Sequence, residues 1–294
     1  MYSLLKSIFL NTMPIWIITP FAQLKKKLVN VYVEFVDPES GQLIRMIKRR
    51  DSFIEKTIHA NGLYGSWEKE SLKIWALLSK QSDVIIDIGS NTGIYSLLAA
   101  ANNHKAKIIA IEPVPLNYNI LKQNIKVNKS KIKSVKIAIS NASGKAVMHM
   151  LKNHINYMTS VNKNRYAEHP EIQNNIETQI ITIKIEPFNY IIDKYKLTTL
   201  DLIKLDVEGH EIEVLQSMMP YIQQSKPCVL IEIIDDTIAA FVEMQFRKLN
   251  YCFVAINEQS VSTVVSKIWN NDHHNFLLCS PQHLNMLRAN NLVV

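Results

Sequence analysis

The stretch from Val84 to Gly93 joins an apolar strand to a turn of small residues, and these residue types suit contact with a nucleotide. The run Val84–Ile88 predicts a strand in the middle of a parallel sheet, and an apolar helix follows from Ile94. Only 7 glycines occur in 294 residues, yet Gly89 and Gly93 both fall in this turn, where glycine lets a backbone approach a ligand. We therefore predict a cofactor-binding loop. Its candidate contacts are Asp87, Gly89, Asn91 and Gly93.

An acid at the end of the next predicted strand completes this candidate site. Lys107–Ile111 is followed by Glu112 and Pro113, and Glu112 lies twenty-three residues after Gly89. A carboxylate at this place in an α/β sheet contacts ribose hydroxyls, although a strand-end acid can also simply be solvated. The loop lacks the G-x-G-x-x-G spacing that cradles a pyrophosphate. The pattern favours an adenosine cofactor without a pyrophosphate, so S-adenosylmethionine fits better than NAD.

A second pair of carboxylates follows the predicted strand Leu202–Leu205. Alternation along an extended chain places Asp206 and Glu208 on one side, at the rim where open α/β sheets bind ligands. There they can share a proton, bind a metal, or divide the roles of base and cofactor contact. The alternative is that they are N-terminal acids of a helix over His210–Met218. Two carboxylates make an incomplete metal site and no His/Cys cluster has ligand spacing, so we predict no metal.

From about Gly65 to Ser280 the chain resembles class I S-adenosylmethionine-dependent methyltransferases of the FkbM family. Three blocks carry the resemblance, in the family's order: the loop block Ile86-Asp87-Ile88-Gly89-Ser90-Asn91-Thr92-Gly93-Ile94-Tyr95-Ser96, the acid block Ile111-Glu112-Pro113-Val114-Pro115, and the block Asp201-Leu202-Ile203-Lys204-Leu205-Asp206-Val207-Glu208-Gly209-His210-Glu211-Ile212-Glu213-Val214-Leu215. The last block is the most specific to the family. The segments Lys226–Ile233 and Leu249–Tyr251 also resemble the family, except that Asn250 stands where the family commonly has a glycine.

The resemblance implies an O-methyltransferase that transfers a methyl group from S-adenosylmethionine to a hydroxyl of a glycan, nucleotide-sugar or natural product. The catalytic candidates are Asp206, Glu208 and His210, with Asp206 first as the base or the acceptor-orienting residue; Asp206 is also a candidate cofactor contact. His210 can equally be a surface histidine of its helix. The segment Tyr64-Gly65-Ser66-Trp67-Glu68 resembles one that lies over the cofactor, so Glu68 is a further cofactor candidate, or else an N-terminal acid of a helix over Glu68–Leu78.

The acceptor candidates lie in a basic part of the chain. No Asp or Glu occurs from Pro113 to Ala167, while ten Lys and Arg residues do. Within it, Met148–Arg165 falls where the family carries an insertion facing the acceptor, and His149, His154 and Tyr157 suit a hydroxyl-rich ligand. The surrounding lysines favour an anionic small-molecule or glycan acceptor. The default for such charges is a solvated helix face, and no nucleic-acid-binding module is recognised, so we expect no nucleic-acid partner.

The predicted fold is α/β: a Rossmann-like, seven-stranded, mostly parallel sheet with helices on both faces, the class I methyltransferase fold. The predicted strands are Val84–Ile88, Lys107–Ile111, Val135–Ile139, Leu202–Leu205, Cys228–Ile233, Tyr251–Ile256 and Phe276–Cys279, with the last two antiparallel. A β-hairpin is predicted from Val29–Val36 and Gln42–Lys48. We divide the chain into an N-terminal extension over residues 1–60 and a methyltransferase domain over residues 61–294.

The N-terminal segment and the cysteines bear on location. Residues 4–21 are apolar but broken by Lys6, Asn11, Pro14 and Pro20, and three lysines follow, which makes a weak signal peptide and a poor spanning helix. Residues 1–28 either contact a membrane surface or form a packing arm. Three cysteines without metal or disulfide spacing favour a reducing compartment. We predict a cytoplasmic protein, with peripheral contact at the inner membrane face as an option.

Two other functions share parts of this pattern. An NAD-dependent oxidoreductase or epimerase has the same sheet and ribose acid, but here the phosphate-binding spacing and a Tyr-x-x-x-Lys pair in context are missing. An RNA-binding methyltransferase would use the basic stretch, but no base-flipping motif of the Asn-Pro-Pro-Tyr type is present. The identity of the bound nucleotide separates the first alternative, and salt-sensitive RNA binding would support the second.

Overall fold

The structure is a computed structural model, and it describes residues 32–48, 53–151, 178–270 and 274–294. In this part of the chain a large mixed sheet is covered by helices on both faces, with a β-hairpin and a small second sheet beside it. The predicted fold class is thereby confirmed.

The large sheet has eight strands in the order β12-β11-β13-β10-β9-β3-β4-β5. The strands are β3 (Val84–Ile88), β4 (Lys107–Ile111), β5 (Lys133–Val135), β9 (Leu202–Leu205), β10 (Cys228–Glu232), β11 (Cys252–Ala255), β12 (Thr263–Val265) and β13 (Asn275–Cys279). Neighbouring strands from β10 to β5 are parallel, and β13 is antiparallel to both β10 and β11. The chain runs from β3 outward to β5 and then returns to β9 on the other side of β3. Ligands bind at such a switch point in open α/β sheets.

Both faces of the sheet are buried, which explains the continuous apolar strands. On one face, Ile85 and Leu230 pack with the helices α1 (Phe53–Asn61), α2 (Lys69–Ser79), α3 (Ile94–Asn102) and α8 (Pro281–Ala289). On the other, Ile86 and Ile231 pack with α5 (Asn189–Tyr195), α6 (Glu211–Ser225) and α7 (Asp236–Arg247). The helix α4 (Pro115–Val127) packs against the hairpin and β5.

The hairpin consists of β1 (Tyr32–Val36) and β2 (Leu43–Ile47), which pair antiparallel as predicted. Its apolar residues Val33 and Met46 are fully buried in the same core as α2 and α3. Two asparagines, one in α4 and one directly after it, bind the edge of β2. Asn124 accepts a hydrogen bond from the Ile47 amide at 2.8 Å, and Asn128 accepts one from the Arg45 amide at 2.8 Å. The hairpin therefore packs on the main core, while the predicted boundary at residue 60 stays a prediction.

A three-stranded sheet in the order β6-β8-β7 was not anticipated. It contains β6 (Ala138–Ser140), β7 (Gly144–Leu151) and β8 (Thr178–Pro187). The predicted strand Val135–Ile139 is wrong as a single element, because its beginning ends the large sheet as β5 and its end joins the small sheet as β6. The chain passes from one sheet to the other at Lys136 and Ile137, where the sequence has no glycine or proline to indicate a break in the strand.

The predicted count of seven strands in the large sheet is one too low. The additional strand β12 is three residues long and mostly exposed, and it pairs antiparallel with β11 at the sheet edge. It lacks the apolar alternation from which strands are predicted. The helix predicted over His210–Met218 extends instead over Glu211–Ser225, with Pro220 inside it.

Among the described residues, no helix has both the length and the apolar character needed to cross a membrane. Residues 1–28, for which membrane contact was considered, lie outside the described part of the chain.

Candidate active site

A cleft of about 950 Å³, part of it open to solvent, lies where β3, β4 and β9 end. Trp67 and Ile54 form part of its wall on one side, and Ala138 and Met148 of the small sheet line another. Seven of the predicted site residues line it: Asp87, Gly89, Asn91, Glu112, Asp206, Glu208 and His210. The structure thus brings the cofactor loop, the ribose acid and the carboxylates after β9 to one place.

The remaining predicted site residues stand differently. Glu68 is not among the residues that line the cleft, but it contacts Tyr95, which is. The Tyr95 hydroxyl donates a hydrogen bond to Glu68 Oε2 at 2.5 Å. Gly93 precedes α3 behind the loop. His149 lies in β7, and its side chain is not part of what the structure describes. His154 and Tyr157 lie outside the described residues. Their role as acceptor contacts stays a prediction.

A backbone contact requires glycine at residue 89. Its φ is +80°, and a Cβ there would lie 1.7 Å from the carbonyl oxygen of Asp206. In the same contact the Asp206 amide donates to the Ile88 carbonyl at 3.1 Å. Absence of a side chain at residue 89 therefore lets the loop after β3 lie directly against the segment after β9. This contact is a reason for glycine at residue 89 besides the predicted approach of a ligand, which stays a prediction.

Four backbone amides of the loop already have acceptors within the protein. Gly89 and Ser90 both donate to the Ile111 carbonyl at 3.0 Å, Gly93 donates to the Ser90 carbonyl at 2.7 Å, and Asn91 donates to Glu112 Oε2 at 2.9 Å. By contrast, Ser90 Oγ, Asn91 Oδ1 and Thr92 Oγ1 are buried without a hydrogen-bond partner among the described residues. The hydrogen bonding of this loop therefore differs from that of a loop that cradles a phosphate with free N–H groups.

Glu112 is held in place by two backbone amides. Its Oε2 accepts from Asn91 and its Oε1 accepts from the Val114 amide at 2.8 Å. The residue is 4% exposed. Burial raises the pKa of Glu112 to about 8, although both amide hydrogen bonds favour the charged form. In its charged form a carboxylate can accept about four hydrogen bonds, so each oxygen of charged Glu112 retains one acceptor direction for a pair of hydroxyls.

Asp87 is buried beneath the loop. Its Oδ2 accepts from the Ser96 hydroxyl at 2.5 Å, and the Ser96 amide also contributes a hydrogen bond. Burial raises the pKa of Asp87 to about 6. The carboxylate thus occupies the N-terminal turn of α3, where a helix otherwise favours a bound anion.

Lys204 lines the cleft and was missed as a site candidate in the sequence. It is 1% exposed, its Nζ lies 3.2 Å from Asp206 Oδ2, and it lies 5.1 Å from the centroid of the Tyr95 ring. Burial lowers the pKa of Lys204, but the carboxylates of Asp206, Glu68 and Glu232 raise it more, so the net shift is upward. The signal was present in the sequence, because a lysine interrupts the otherwise apolar strand Leu202–Leu205.

Glu68 and Glu208 both have left-handed backbone conformations, with φ of 42° and 58°. Such conformations cost non-glycine residues about 1–2 kcal/mol and are frequent at functional sites. Burial raises the pKa of Glu68 to about 7, while Lys204 lowers it. Glu68 also immediately precedes α2, so its alternative prediction as an acid at a helix N-terminus agrees with the structure. The N-terminal amides of that helix, however, are bound by Glu258, which accepts from the Glu70 amide at 2.7 Å.

Glu211, the first residue of α6, holds the turn that precedes this helix. Its Oε1 accepts from the amides of Val207 and Gly209 at 3.2 and 3.3 Å, at the start of α6. Burial raises the pKa of Glu211 to about 7. Asp206 and Glu208 therefore face the cleft while a third acid stabilises the turn that carries them.

His210 is half-buried at the cleft and is not an ordinary surface histidine. Its Nε2 lies 3.0 Å from Ser140 Oγ, and its Nδ1 lies 3.4 Å from Glu213 Oε2. Burial lowers the pKa of His210 and the nearby Glu213 opposes this shift. The imidazole is therefore mostly neutral at pH 7, which is the form able to accept a proton.

The sequence profile of the methyltransferase FkbM domain matches residues 87–260. This is more than half of the 294-residue chain, and the chain belongs to the FkbM methyltransferase family. The resemblance seen in the sequence is confirmed.

Two curated relatives are methyltransferases. Methyltransferase sdnD of Sordaria araneosa is 28% identical over 154 residues, which cover 46% of this chain and 60% of sdnD. Hexuronic acid methyltransferase AglP of Haloferax volcanii is 25% identical over 166 residues, which cover 56% of this chain and 62% of AglP. The chain thus matches about three fifths of the length of both relatives.

Similar solved structures include a methyltransferase FkbM from Methylobacillus flagellatus, with a TM-score of 0.41 and 14% identity, covering 67% of this chain and 43% of that one. An O-methyltransferase from Bacillus cereus in complex with SAH has a TM-score of 0.42 and 11% identity, covering 78% of this chain and 90% of that one.

Proposed function

We propose that this protein is an O-methyltransferase that uses S-adenosylmethionine and transfers its methyl group to a hydroxyl of a glycan, nucleotide-sugar or natural product. The observation that carries the choice of cofactor is the hydrogen bonding of the loop after β3. The amides of Gly89, Ser90, Asn91 and Gly93 are all bound within the protein, and Asp87 occupies the N-terminal turn of α3. A pyrophosphate needs free amides at this position, so this arrangement argues against NAD.

The charge of the cleft supports a cationic ligand. Asp87, Glu112, Asp206 and Glu208 line it, whereas Lys204 is the one Lys or Arg among the described lining residues. Electrostatic attraction by such an acid-rich, partly buried cleft favours a sulfonium and an ammonium group, both of which S-adenosylmethionine carries.

Glu112 is the proposed ribose contact. Its carboxylate is fixed by the Asn91 and Val114 amides and retains an acceptor direction on each oxygen. Two vicinal hydroxyls can donate to these oxygens without moving the side chain. Preorganisation of this kind lowers the entropic cost of binding.

The bound cofactor would supply an activated methyl group on sulfur, so the protein has to align the acceptor and remove one proton. We assign the role of general base to His210. Its lowered pKa leaves the imidazole neutral, and contacts with Ser140 and Glu213 fix the positions of both ring nitrogens. Asp206, which is paired with Lys204, suits the orientation of the acceptor. Before transfer, His210 Nε2 has to exchange the Ser140 hydroxyl for the acceptor hydroxyl.

A sugar acceptor is consistent with the relatives, one of which is named a hexuronic acid methyltransferase. A hexuronic acid carries a negative charge, as does the anionic acceptor predicted from the basic stretch. Equal turnover of the neutral and anionic forms of one acceptor would contradict the charge preference.

The test of the cofactor is a calorimetric titration of the purified protein with S-adenosylmethionine, S-adenosylhomocysteine and NAD. We expect saturable binding of the first two and none of NAD. At pH 9, where Glu112 is charged, Glu112→Gln should weaken binding by about 10- to 150-fold, the ~1.5–3 kcal/mol of hydrogen bonds to a charged group. The matched control Glu34→Gln, at an exposed acid of the hairpin, should bind like wild type. Binding of NAD alone would overturn the proposal.

A further inference from the structure

We propose that Asp206, Glu208 and Glu232, together with the side-chain amide oxygen of Asn275, form a binding site for a hard divalent cation of the Mg²⁺ or Mn²⁺ class. Sequence reasoning considered only the first two carboxylates and predicted no metal. The third carboxylate, Glu232, lies at the end of β10, and Asn275 lies at the start of β13. Both strands are separated along the chain from the Asp206 segment.

The three carboxylates converge closely. One oxygen from each of Asp206, Glu208 and Glu232 lies within 4.8 Å of the other two. Lys204 compensates part of this charge through its contact with Asp206 at 3.2 Å. One ammonium group beside three carboxylates leaves an excess of negative charge in a half-buried place, which a divalent cation would offset.

Strand register places Asn275 next to this cluster. Leu205 of β9 pairs with Ile231 of β10, so the following residues, Asp206 and Glu232, adjoin each other. Glu232 in turn pairs directly with Asn275 of β13. Directly opposed residues of an antiparallel pair point to the same face and have Cβ atoms about 4.5–5.5 Å apart. Asp206, Glu232 and Asn275 thus form one row across three strands.

The face on which this row lies follows from the core packing. Leu230 of β10 and Leu277 of β13, two residues away from Glu232 and Asn275, both belong to the core beneath α2 and α3. Their neighbours Ile231 and Phe276 belong to the opposite core. Alternation therefore places the side chains of Glu232 and Asn275 on the same face as Asp206 and Lys204.

An independent observation indicates a missing ligand. Asn275 is 4% exposed, and its Oδ1 has no hydrogen-bond partner among the described residues. Glu232 Oε2 is buried and lacks a partner in the same part of the chain. A buried acceptor without a donor is unfavourable, and here two such oxygens belong to residues that pair directly across β10 and β13. A cation satisfies both.

The donor set selects the kind of cation. Three carboxylate oxygens and one amide oxygen suit Mg²⁺, Mn²⁺ or Ca²⁺, and no histidine or cysteine is included that would favour zinc. Four protein oxygens leave two positions of a six-coordinate ion for water or an acceptor oxygen. That last role rests on the proposed function, because Asp206 and Glu208 line the same cleft as the cofactor loop.

The experiment is titration of the full chain, stripped with a chelator, with Mn²⁺, while free Mn²⁺ is followed by electron paramagnetic resonance. We expect one saturable site per chain and displacement of Mn²⁺ by Mg²⁺. Glu232→Gln should weaken Mn²⁺ binding at least tenfold, and Asn275→Ala should weaken it about threefold or more. The exposed-acid control Glu34→Gln should leave it unchanged.

Two results would overturn the site: no saturable Mn²⁺ binding by the wild-type chain, or binding that Glu232→Gln and Asn275→Ala leave intact. The first is expected if the Asn275 amide turns its nitrogen toward Glu232, which would satisfy both side chains without a cation. Thermal melting of each variant checks that it is folded. S-adenosylmethionine titration of the same samples keeps the two proposals apart, since a chain that binds the cofactor but no Mn²⁺ refutes only the metal site.

Discussion

Substitution of Gly89 by alanine tests whether this glycine joins two parts of the active site. The added Cβ would lie 1.7 Å from the Asp206 carbonyl oxygen, at a φ of +80°. Since that oxygen belongs to the backbone, the contact cannot be relieved by a side-chain rotation. The loop after β3 and the segment after β9 would have to separate by more than an ångström.

The expected cost can be assembled from three contributions. The left-handed conformation costs alanine about 1–2 kcal/mol. Loss of the hydrogen bond from the Asp206 amide to Ile88 costs about 1 kcal/mol. Separation of closely packed backbone adds roughly 1–3 kcal/mol, as in overpacked cores. We expect Gly89→Ala to lower the free energy of unfolding by about 3–6 kcal/mol and to abolish cofactor binding.

Gly41→Ala is the matched control. Gly41 also has a positive φ, of +69°, but a Cβ there meets nothing within 4 Å. It should cost only about 1–2 kcal/mol, the conformational part. Urea denaturation of both variants provides the assay. If Gly41→Ala and Gly89→Ala shift the midpoint equally, the contact with Asp206 has no energetic consequence and the reasoning is refuted.

Further predictions concern the charged groups. Lys204→Met should lower the free energy of unfolding by about 3–5 kcal/mol at pH 8. This loss should be smaller at pH 6, because burial raises the pKa of Glu68 to about 7 and Glu68 is then protonated. Equal losses at both pH values would contradict this. The wild-type chain should lose stability as pH rises from about 5 to 8. Buried acids such as Glu112, with a pKa raised to about 8, bind protons more tightly in the folded than in the unfolded chain. A free energy of unfolding that rises over this range in urea titrations would contradict this prediction. His210→Ala should reduce kcat by about 10²–10⁴ and remove the fall in kcat/KM below pH 6.5, and an unchanged pH profile would exclude His210 as the base. Glu258→Ala, which removes the cap of α2, should cost about 1–2 kcal/mol in urea denaturation, and a cost no larger than that of Glu34→Ala would argue against the cap.

The local features of the site could be predicted from the sequence because the strand, turn and helix patterns lie close together in the chain. Asp87, Glu112 and Asp206 each follow or end an apolar strand, and the carboxyl ends of parallel strands meet at one rim. This is why the loop, the acid and the third block converge as predicted. The same rule does not say why Gly89 is a glycine, since the reason is a contact with a residue more than a hundred positions away.

Features that depend on register could not be predicted. Glu232 and Asn275 lie at opposite ends of separate apolar strands, and only the antiparallel pairing of β10 with β13 brings them together. Lys204 was visible as an exception in an apolar strand, but its partners come from three other segments. The small sheet was missed because β7 and β8 are separated by a long stretch, so their pairing has no hairpin signal.

The most direct test of the central claim is a crystal structure of the chain with S-adenosylhomocysteine. The account predicts the ligand in the cleft between the loop after β3 and the segment after β9, with both ribose hydroxyls within hydrogen-bonding distance of Glu112 and the sulfur facing Asp206 and His210. A ligand bound elsewhere, or a ribose that does not contact Glu112, would contradict the assignment of this cleft as the cofactor site.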